Sequence, residues 1–204
     1  MEEPWKDWIP GVLNWTQMSE LCKAGAIKGN DSLEGAIGKS AIDLSLSSKA
    51  FRMIQGSVKP FGPDFYDSFI TKSKLGEQLE PFHDGTFTLN AKETYVFELN
   101  EKLNIKALQT AQIHGQATAR SSVGRVDVLA RLIVDGMETY EGFDPNSLKN
   151  YSGNMYLEIT PITFSVRVKP NICLSQLRLF RGKPETAEIK GKELFMTALL
   201  ISAK

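Results

Sequence analysis

The chain has little that would mark a zinc site, a membrane span or a polyanion-binding surface. Its 204 residues include only two cysteines and two histidines, and these are too far apart to give a zinc-ligand spacing. Lys plus Arg equal Asp plus Glu at 24 each, so bulk charge gives no support for a nucleic-acid or membrane-surface protein. No apolar run approaches the ~18 residues that a membrane-spanning helix needs. An anionic ligand would therefore need a local cluster of positive charge.

The cysteines and the N-terminal segment both favour a reducing, cytoplasmic location. Cys22 and Cys173 are lone thiols outside any Cys-x-x-Cys pair, although one disulfide between them stays open. The segment MEEPWKDWIP is acidic and aromatic, whereas a signal peptide begins with basic residues and continues with apolar ones. We therefore expect a cytoplasmic protein.

The hydrophobic pattern predicts a mainly β domain with one clear helix. Residues 42–47 alternate between apolar and polar side chains, as in a half-buried strand. A helix is predicted over 14–24, with Asn14 or Thr16 as its cap. Seven more strand candidates follow, mostly punctuated by Gly, Pro or Asn: TFTLN, TYVFEL, IHGQATA, VDVLARLIV, NMYLEITP, FSVRVKP and CLSQLRLF. Many short strands and a single helix predict a β-barrel or sandwich.

The segment ARSSVGR is the first candidate for binding a ligand. Arg120 and Arg125 supply fixed positive donors, and Ser121, Ser122 and the permissive backbone at Gly124 supply small donors beside them. Such a set can hold the phosphates of a nucleotide. A polar turn with two solvated arginines explains the same residues, and spacing alone favours that plainer interpretation.

Polar residues inside three apolar strands are the other candidates. Glu158 lies in the middle of NMYLEITP, where Glu is disfavoured, and is either a solvated outer-face residue or a buried general base. The pattern alone favours the solvated alternative. Asp43, in SAIDLSLSSKAFR, is interpreted as structural. Gln176, in CLSQLRLF, could bind a ligand or satisfy a neighbouring backbone group.

Four of these segments, in this order, resemble the dCTP deaminase and dUTPase superfamily. SAIDLSLSSKAFR looks like the first block of dCTP deaminases, and ARSSVGR resembles the serine-arginine phosphate motif of both branches. YSGNMYLEI resembles the block that carries the catalytic glutamate, and VRVKPNICLSQLRLF resembles the strand-turn-strand that follows it. The resemblance is closest to the N-terminal half of the long bacterial dCTP deaminases.

The resemblance implies a distorted β-barrel of the dUTPase-like, β-clip type, with a short N-terminal helix and a possible C-terminal helix. We predict a single domain over 1–204, with a core of about 11–183 and a C-terminal extension over 184–204 whose end could also be a strand. Short members of the family are homotrimers with active sites at subunit interfaces, so self-association as a homotrimer is expected. No nucleic-acid or membrane partner is expected.

The implied reaction is zinc-independent hydrolysis of dCTP to dUTP and ammonia, with Mg²⁺ bound to the triphosphate. The family uses no zinc, in agreement with the missing ligand set. Glu158 matches the glutamate that takes a proton from water as it attacks C4 of cytosine and then passes protons to N3 and the leaving amine. Ser121 matches the serine near the phosphates and the water, and Arg125 matches the arginine that holds the phosphates and the reacting centre.

Five further positions carry over as substrate-binding residues. Arg120 and Ser122 extend the grip on the phosphates. Asp135 matches the aspartate near the deoxyribose 3'-hydroxyl, and Tyr151 matches a residue of the sugar-base pocket. Gln176 corresponds to a nucleotide contact.

Two alternatives remain. The first is a dUTP pyrophosphatase, or a bifunctional enzyme, in which Asp135 is the only nominee for activating water at the α-phosphate. The second is a nucleotide-binding module without turnover. The Leu-Glu-Ile context of Glu158 favours deamination.

Overall fold

The computed structural model describes residues 4–29, 33–56, 66–148 and 152–183. Its strands are β1 (Gly11–Val12), β2 (Ile27–Lys28), β3 (Ile42–Met53), β4 (Gly76–Leu79), β5 (Phe87–Leu89), β6 (Tyr95–Leu103), β7 (Ile113–Ala119), β8 (Val128–Val134), β9 (Gly142–Phe143), β10 (Asn154–Pro161), β11 (Val166–Val168) and β12 (Cys173–Arg181). Its helices are α1 (Trp15–Lys23), α2 (Leu33–Ala36), α3 (Tyr66–Lys72), α4 (Ile105–Ala111) and α5 (Ser121–Arg125).

One antiparallel sheet forms most of the fold. Its order is β8-β10-β6-β3-β12-β7-β9, while β1 pairs with β12, β2 with β6 and β4 with β3. The sheet curls until β7 and β8 approach each other, which makes a nearly closed barrel. β5 and β11 form a separate two-stranded sheet. The predicted mainly β, barrel-like class is confirmed.

The predicted N-terminal helix is confirmed as α1, and Asn14 rather than Thr16 caps it. The Asn14 side chain accepts a hydrogen bond from Gln17 N, and the Gln17 side chain accepts one from Asn14 N. This reciprocal capping box satisfies two backbone donors at the start of the helix. The ambiguous tail falls outside the described residues.

Four further short helices in the described residues were not predicted from the sequence. Helices α2, α3, α4 and α5 have only four to seven residues each, too few for a helical period to stand out. The segment ARSSVGR contains α5. None of the described helices has both the length and the apolar character needed to cross a bilayer.

Both faces of β10 are buried. Met155, Leu157 and Ile159 point into the main core inside the barrel. On the opposite face a second apolar cluster covers the strand, and its buried members are Phe51, Met53, Tyr66, Ile70, Val96, Ile133 and Tyr156. Helix α3 supplies Tyr66 and Ile70 to this cover. Because Glu158 shares a face with Tyr156, it too lies on a covered side of the sheet.

The two cysteines are free thiols. Cys22 is half-buried on α1, and burial raises the pKa of its thiol to about 11. Burial also raises the pKa of the Cys173 thiol. Both thiols therefore stay protonated at neutral pH, which makes them poor nucleophiles.

Candidate active site

Glu158 is a buried carboxylate at the centre of β10. Its side chain is only 3% exposed, so the solvated outer-face alternative is wrong. In the antiparallel register Glu158 lies opposite Arg131 of β8 and Val96 of β6. Arg131 donates two hydrogen bonds to the same oxygen, Oε1, from Nε at 3.0 Å and from Nη2 at 2.5 Å. This paired cation makes the burial of the carboxylate tolerable.

Tyr140 closes the other side of the carboxylate. Its hydroxyl donates to Glu158 Oε2 at 3.3 Å, and its ring centroid lies 4.1 Å from the guanidinium carbon of Arg131. Burial and, to a lesser degree, the charge of Glu158 raise the pKa of Tyr140 to about 12. The phenol is therefore a protonated hydrogen-bond donor at neutral pH.

A cleft of about 650 Å³ lies beside this cluster. It is lined by residues 114–118 of β7, by Met137 and residues 139–144, and by Lys183. Its volume is that of a typical small-molecule site. Tyr140 is a wall of the cleft and contacts Glu158, while Thr118 lies two residues before Arg120. Glu158 and residues 120–125 do not themselves line the cleft; Glu158 contacts it through Tyr140, and the segment begins two residues after Thr118.

Acidic and basic side chains also line the cleft at its His114 end. His114 is buried, and its Nε2 lies 3.3 Å from Asp144 Oδ1. Neither residue was a candidate from the sequence, because a lone His and an Asp thirty residues later carry no motif. The pair becomes visible only when β7 and β9 are placed side by side.

The predicted phosphate segment is exposed. Ser121, Ser122, Gly124 and Arg125 all face solvent on α5, whereas Val123 is buried and anchors the helix. The hydroxyl and guanidinium groups are thus free of the core and accessible to a ligand. This exposure is compatible with anion binding and equally with the plainer interpretation as a solvated turn.

A row of polar side chains runs across three strands next to this segment. Gln176 of β12 lies opposite Asp43 of β3 and Thr118 of β7, and its Nε2 donates to Thr118 Oγ1 at 3.3 Å. Asp43 Oδ2 lies 3.2 Å from Arg120 Nη1. Asp43 therefore forms an ion pair with Arg120, in keeping with its interpretation as a structural residue. Gln176 reaches the cleft through Thr118.

Within one chain, α5 and Glu158 are near each other but do not touch. Val128, the first residue of β8, pairs with Pro161, three residues beyond Glu158 on β10. Three residues of a strand span about 10 Å. In the described part of the chain no hydrogen bond joins α5 to Glu158.

Asp135 and Tyr151 do not join this group. Asp135 is 1% exposed and does not line the cleft. Its Oδ1 accepts from Tyr66 N at 2.8 Å and its Oδ2 from Ser152 Oγ at 2.7 Å, so it fastens α3 to the chain before β10. Burial raises the pKa of Asp135, although these hydrogen bonds oppose the shift. Tyr151 lies outside the described residues.

The metal-ligating residue types do not cluster in the described ranges. Across 4–29, 33–56, 66–148 and 152–183, no group of three or more His, Cys, Asp or Glu side chains is placed to hold a metal ion. The potential ligands nearest the cleft, His114 and Asp144, form a pair only.

Comparison with known proteins connects this geometry to a family. The fold matches the crystal structure of 2'-deoxycytidine 5'-triphosphate deaminase from Agrobacterium tumefaciens with a TM-score of 0.74 at 24% sequence identity. The match covers 86% of this chain and 48% of that one, so the chain spans about half the length of that deaminase. A comparison with curated proteins found no match. The model of the 2'-deoxycytidine 5'-triphosphate deaminase (DCD) N-terminal domain matches residues 9–183, and the chain therefore belongs to that family.

Proposed function

We propose that the protein catalyses zinc-independent hydrolysis of dCTP to dUTP and ammonia, with Glu158 as the general base. The observation that supports this most directly is the burial of Glu158 beside a cleft large enough for a nucleoside. Glu158 takes a proton from water as the water oxygen bonds to C4 of cytosine. The carboxyl passes this proton to N3, takes the second proton from the hydroxyl now bound to C4 and gives it to the amine, and the C4–N bond breaks to release ammonia while the C4 oxygen becomes the carbonyl of uracil.

The triphosphate, carried as its Mg²⁺ complex, is proposed to bind at α5. Arg125 and Arg120 supply charge, and Ser121 and Ser122 supply hydroxyl donors on the same exposed turn. Gln176 is proposed to contact the nucleotide at the end of the cleft nearest Thr118. The Mg²⁺ enters with the substrate and needs no ligand from the protein.

A homotrimer is proposed to complete the site. Because α5 is exposed and precedes β8, whose first residue lies about 10 Å beyond Glu158 along the sheet, the α5 of a second copy is free to approach the cleft of the first. Each site would then combine the base of one chain with the phosphate-binding turn of another.

The contacts of Asp135 weigh against the pyrophosphatase alternative. Asp135 Oδ1 accepts from Tyr66 N at 2.8 Å and Oδ2 from Ser152 Oγ at 2.7 Å. Oε2 of Glu158, in contrast, has the longer 3.3 Å bond from Tyr140, which water can replace. Tyr140 lines the cleft, and neither Tyr66 nor Ser152 does. The proposed role of this residue near the sugar would require those bonds to rearrange.

One assay separates the three activities. The protein is incubated with Mg²⁺ and either dCTP or dUTP, and the nucleotides are resolved by chromatography. Formation of dUTP from dCTP supports the deaminase, and formation of dUMP with pyrophosphate supports the pyrophosphatase or a bifunctional enzyme. Binding measured by calorimetry without any product supports a module that lacks turnover.

Replacing the base tests the assignment of Glu158. In Glu158→Gln, deamination is expected to fall at least ~100-fold while dCTP binding stays within about threefold, because the amide keeps an acceptor for Arg131 but cannot take a proton. The exposed Glu34→Gln is the control and should keep full activity. Turnover near the wild-type rate in Glu158→Gln would refute the assignment.

A further inference from the structure

The carboxylate of Glu158 is held asymmetrically, and the asymmetry distinguishes its two oxygens. We propose that Arg131 and Tyr140 are positioning residues that orient Glu158, so that Oε2, on the side of Tyr140 and the cleft, is the oxygen that exchanges the proton. The proposal deepens the proposed function and rests on it.

Arg131 occupies one oxygen completely. Its Nε and Nη2 both donate to Oε1, at 3.0 and 2.5 Å, so both hydrogen bonds from the guanidinium edge converge on the same atom. The two residues face each other across the β8–β10 ladder, which holds both backbones in place. A carboxylate gripped in this way cannot rotate without breaking charge-assisted hydrogen bonds.

The second oxygen has a weaker partner. Oε2 accepts from the Tyr140 hydroxyl at 3.3 Å, a long bond that water or substrate can replace. Tyr140 also lines the cleft, so it is the side chain through which the described part of the cleft meets Glu158. The Tyr140 ring packs over the Arg131 guanidinium at 4.1 Å and so depends on the same clamp.

The asymmetry fits the proton transfers of the proposed reaction. When Oε2 takes a proton from water, the guanidinium stays bound at Oε1 and the carboxyl keeps its orientation. When Oε2 releases that proton to N3 or to the leaving amine, the original ion pair is restored. The number of protons on Glu158 is unchanged over one cycle, and no group other than water and substrate is consumed.

Three variants test this arrangement. Arg131→Lys keeps the charge but loses the planar fork and the stacking on Tyr140, so kcat should fall ~10-fold to ~100-fold with KM within about threefold. Arg131→Gln should be worse than Arg131→Lys. Tyr140→Phe keeps the ring and loses the hydroxyl, and kcat should fall about tenfold. Arg52→Lys is the control, since Arg52 forms an exposed ion pair with Glu77.

Kinetics and unfolding are measured on the same samples, because a residue needed only for folding would lower the melting temperature and leave kcat per folded molecule unchanged. Loss of kcat at constant KM in Arg131→Lys and Tyr140→Phe supports the proposal. If Arg131→Lys does not fold, the kcat of Tyr140→Phe alone tests whether Glu158 is oriented in this way. Wild-type kcat in the folded variants, with Glu158→Gln inactive, would overturn the positioning role alone. A wild-type protein that forms no dUTP from dCTP would overturn the proposed function and, with it, this inference.

Discussion

At the scale of single residues, Gly153 is, among the glycines that the structure describes, the one where a Cβ would come closest to other atoms. Its φ is +74°, and a Cβ there would collide with the carbonyl of Leu103. The backbone carbonyl of Gly153 accepts from Leu103 N at 2.9 Å, so the two chain segments cannot separate. The turn starts β10 and thereby helps to set the register that puts Glu158 opposite Arg131.

We expect Gly153→Ala to lower the free energy of unfolding by at least ~2 kcal/mol, since the left-handed backbone costs about 1–2 kcal/mol for a residue with a Cβ and the clash adds to it. Urea denaturation measures the difference. Gly35→Ala is the control, because no atom lies within 4 Å of a Cβ there and the helix α2 favours Ala. A Gly153→Ala protein as stable as Gly35→Ala would contradict this account.

The sequence identified single residues where one segment carried the whole signal. Ser121 and Arg125 lie within one short motif, and Glu158 lies in the middle of a strand candidate, where Glu is disfavoured. Arg131 and Tyr140 were missed because their roles depend on the register between β8 and β10 and on the path of the chain before β9. The structural contacts of Asp135 were missed for the same reason, because its hydrogen-bond partners, Tyr66 in α3 and Ser152, are distant in sequence.

At the scale of elements, an irregularity in β3 lies beside another buried carboxylate. Glu101 of β6 is 1% exposed and accepts hydrogen bonds from Ser45 N at 2.8 Å and Ser45 Oγ at 2.7 Å. The pairing of β3 with β6 shifts between Leu46 and Ala50, and Asn100 Nδ2 donates to Leu46 O at 3.0 Å just before that shift. Burial raises the pKa of Glu101, although the hydrogen bonds from Ser45 oppose the shift.

This raised pKa predicts a pH dependence of stability. Folded Glu101 holds its proton more tightly than the unfolded residue, whose pKa is ~4.3. Its contribution is therefore fully present below ~4.3 and is lost as the pH rises through the folded pKa. We expect the free energy of unfolding of the wild type, minus that of Glu101→Gln, to decrease from pH ~4 towards neutral pH.

Denaturant unfolding at a series of pH values measures this difference. Titrations elsewhere, including that of Asp135, occur in both proteins and cancel. Glu34→Gln, at an exposed position on α2, should show no such trend. If the difference in free energy of unfolding between wild type and Glu101→Gln rose with pH or stayed constant, burial would not disfavour the ionised form of Glu101.

Strands were easier to predict than helices for a physical reason. Candidates IHGQATA and NMYLEITP coincide with β7 and β10, because a few residues suffice to show alternation and Gly or Pro punctuation marks the ends. Helices of two turns or fewer are unstable in isolation and form through tertiary packing. Helix α3 illustrates this, since Tyr66 and Ile70 are its buried residues and both belong to the cluster over β10.

At the scale of the whole molecule, the count of short strands predicted a β-barrel or sandwich, and four segments in the right order indicated a family whose fold is a barrel. The position of α5 relative to Glu158 could not be predicted from the sequence, because it depends on the curl of the sheet and on how copies of the chain assemble. The formal charge of zero was equally uninformative. The charged groups of the candidate site are local: Arg120 occupies the N-cap position of α5 and Arg125 is its last residue, while Arg131 is paired with Glu158 in the barrel wall.

The surface next to α5 offers an observation that bears on assembly. Several large apolar side chains are exposed near the Val128 and Pro161 ends of β8 and β10: Val126, Leu129, Ile162 and Phe164. Leu129 is 58% exposed and Phe164 is 51% exposed. Neighbouring exposed apolar residues of this size are typical of a protein interface. In the proposed homotrimer, contact at this surface would hold α5 of one copy near the cleft of another.

Light scattering of the wild type is therefore expected to give about three times the 22.7 kDa chain mass. Leu129→Asp should return the mass to that of one chain and abolish deamination, because it places a charge in the contact without disturbing the core. Ile9→Asp, at a residue 74% exposed elsewhere on the surface, should keep both the mass and the activity. A wild type that deaminates dCTP at the mass of a single chain would show that one copy holds the complete site, and that the 10 Å between Glu158 and the start of β8 is bridged by the nucleotide within the same molecule.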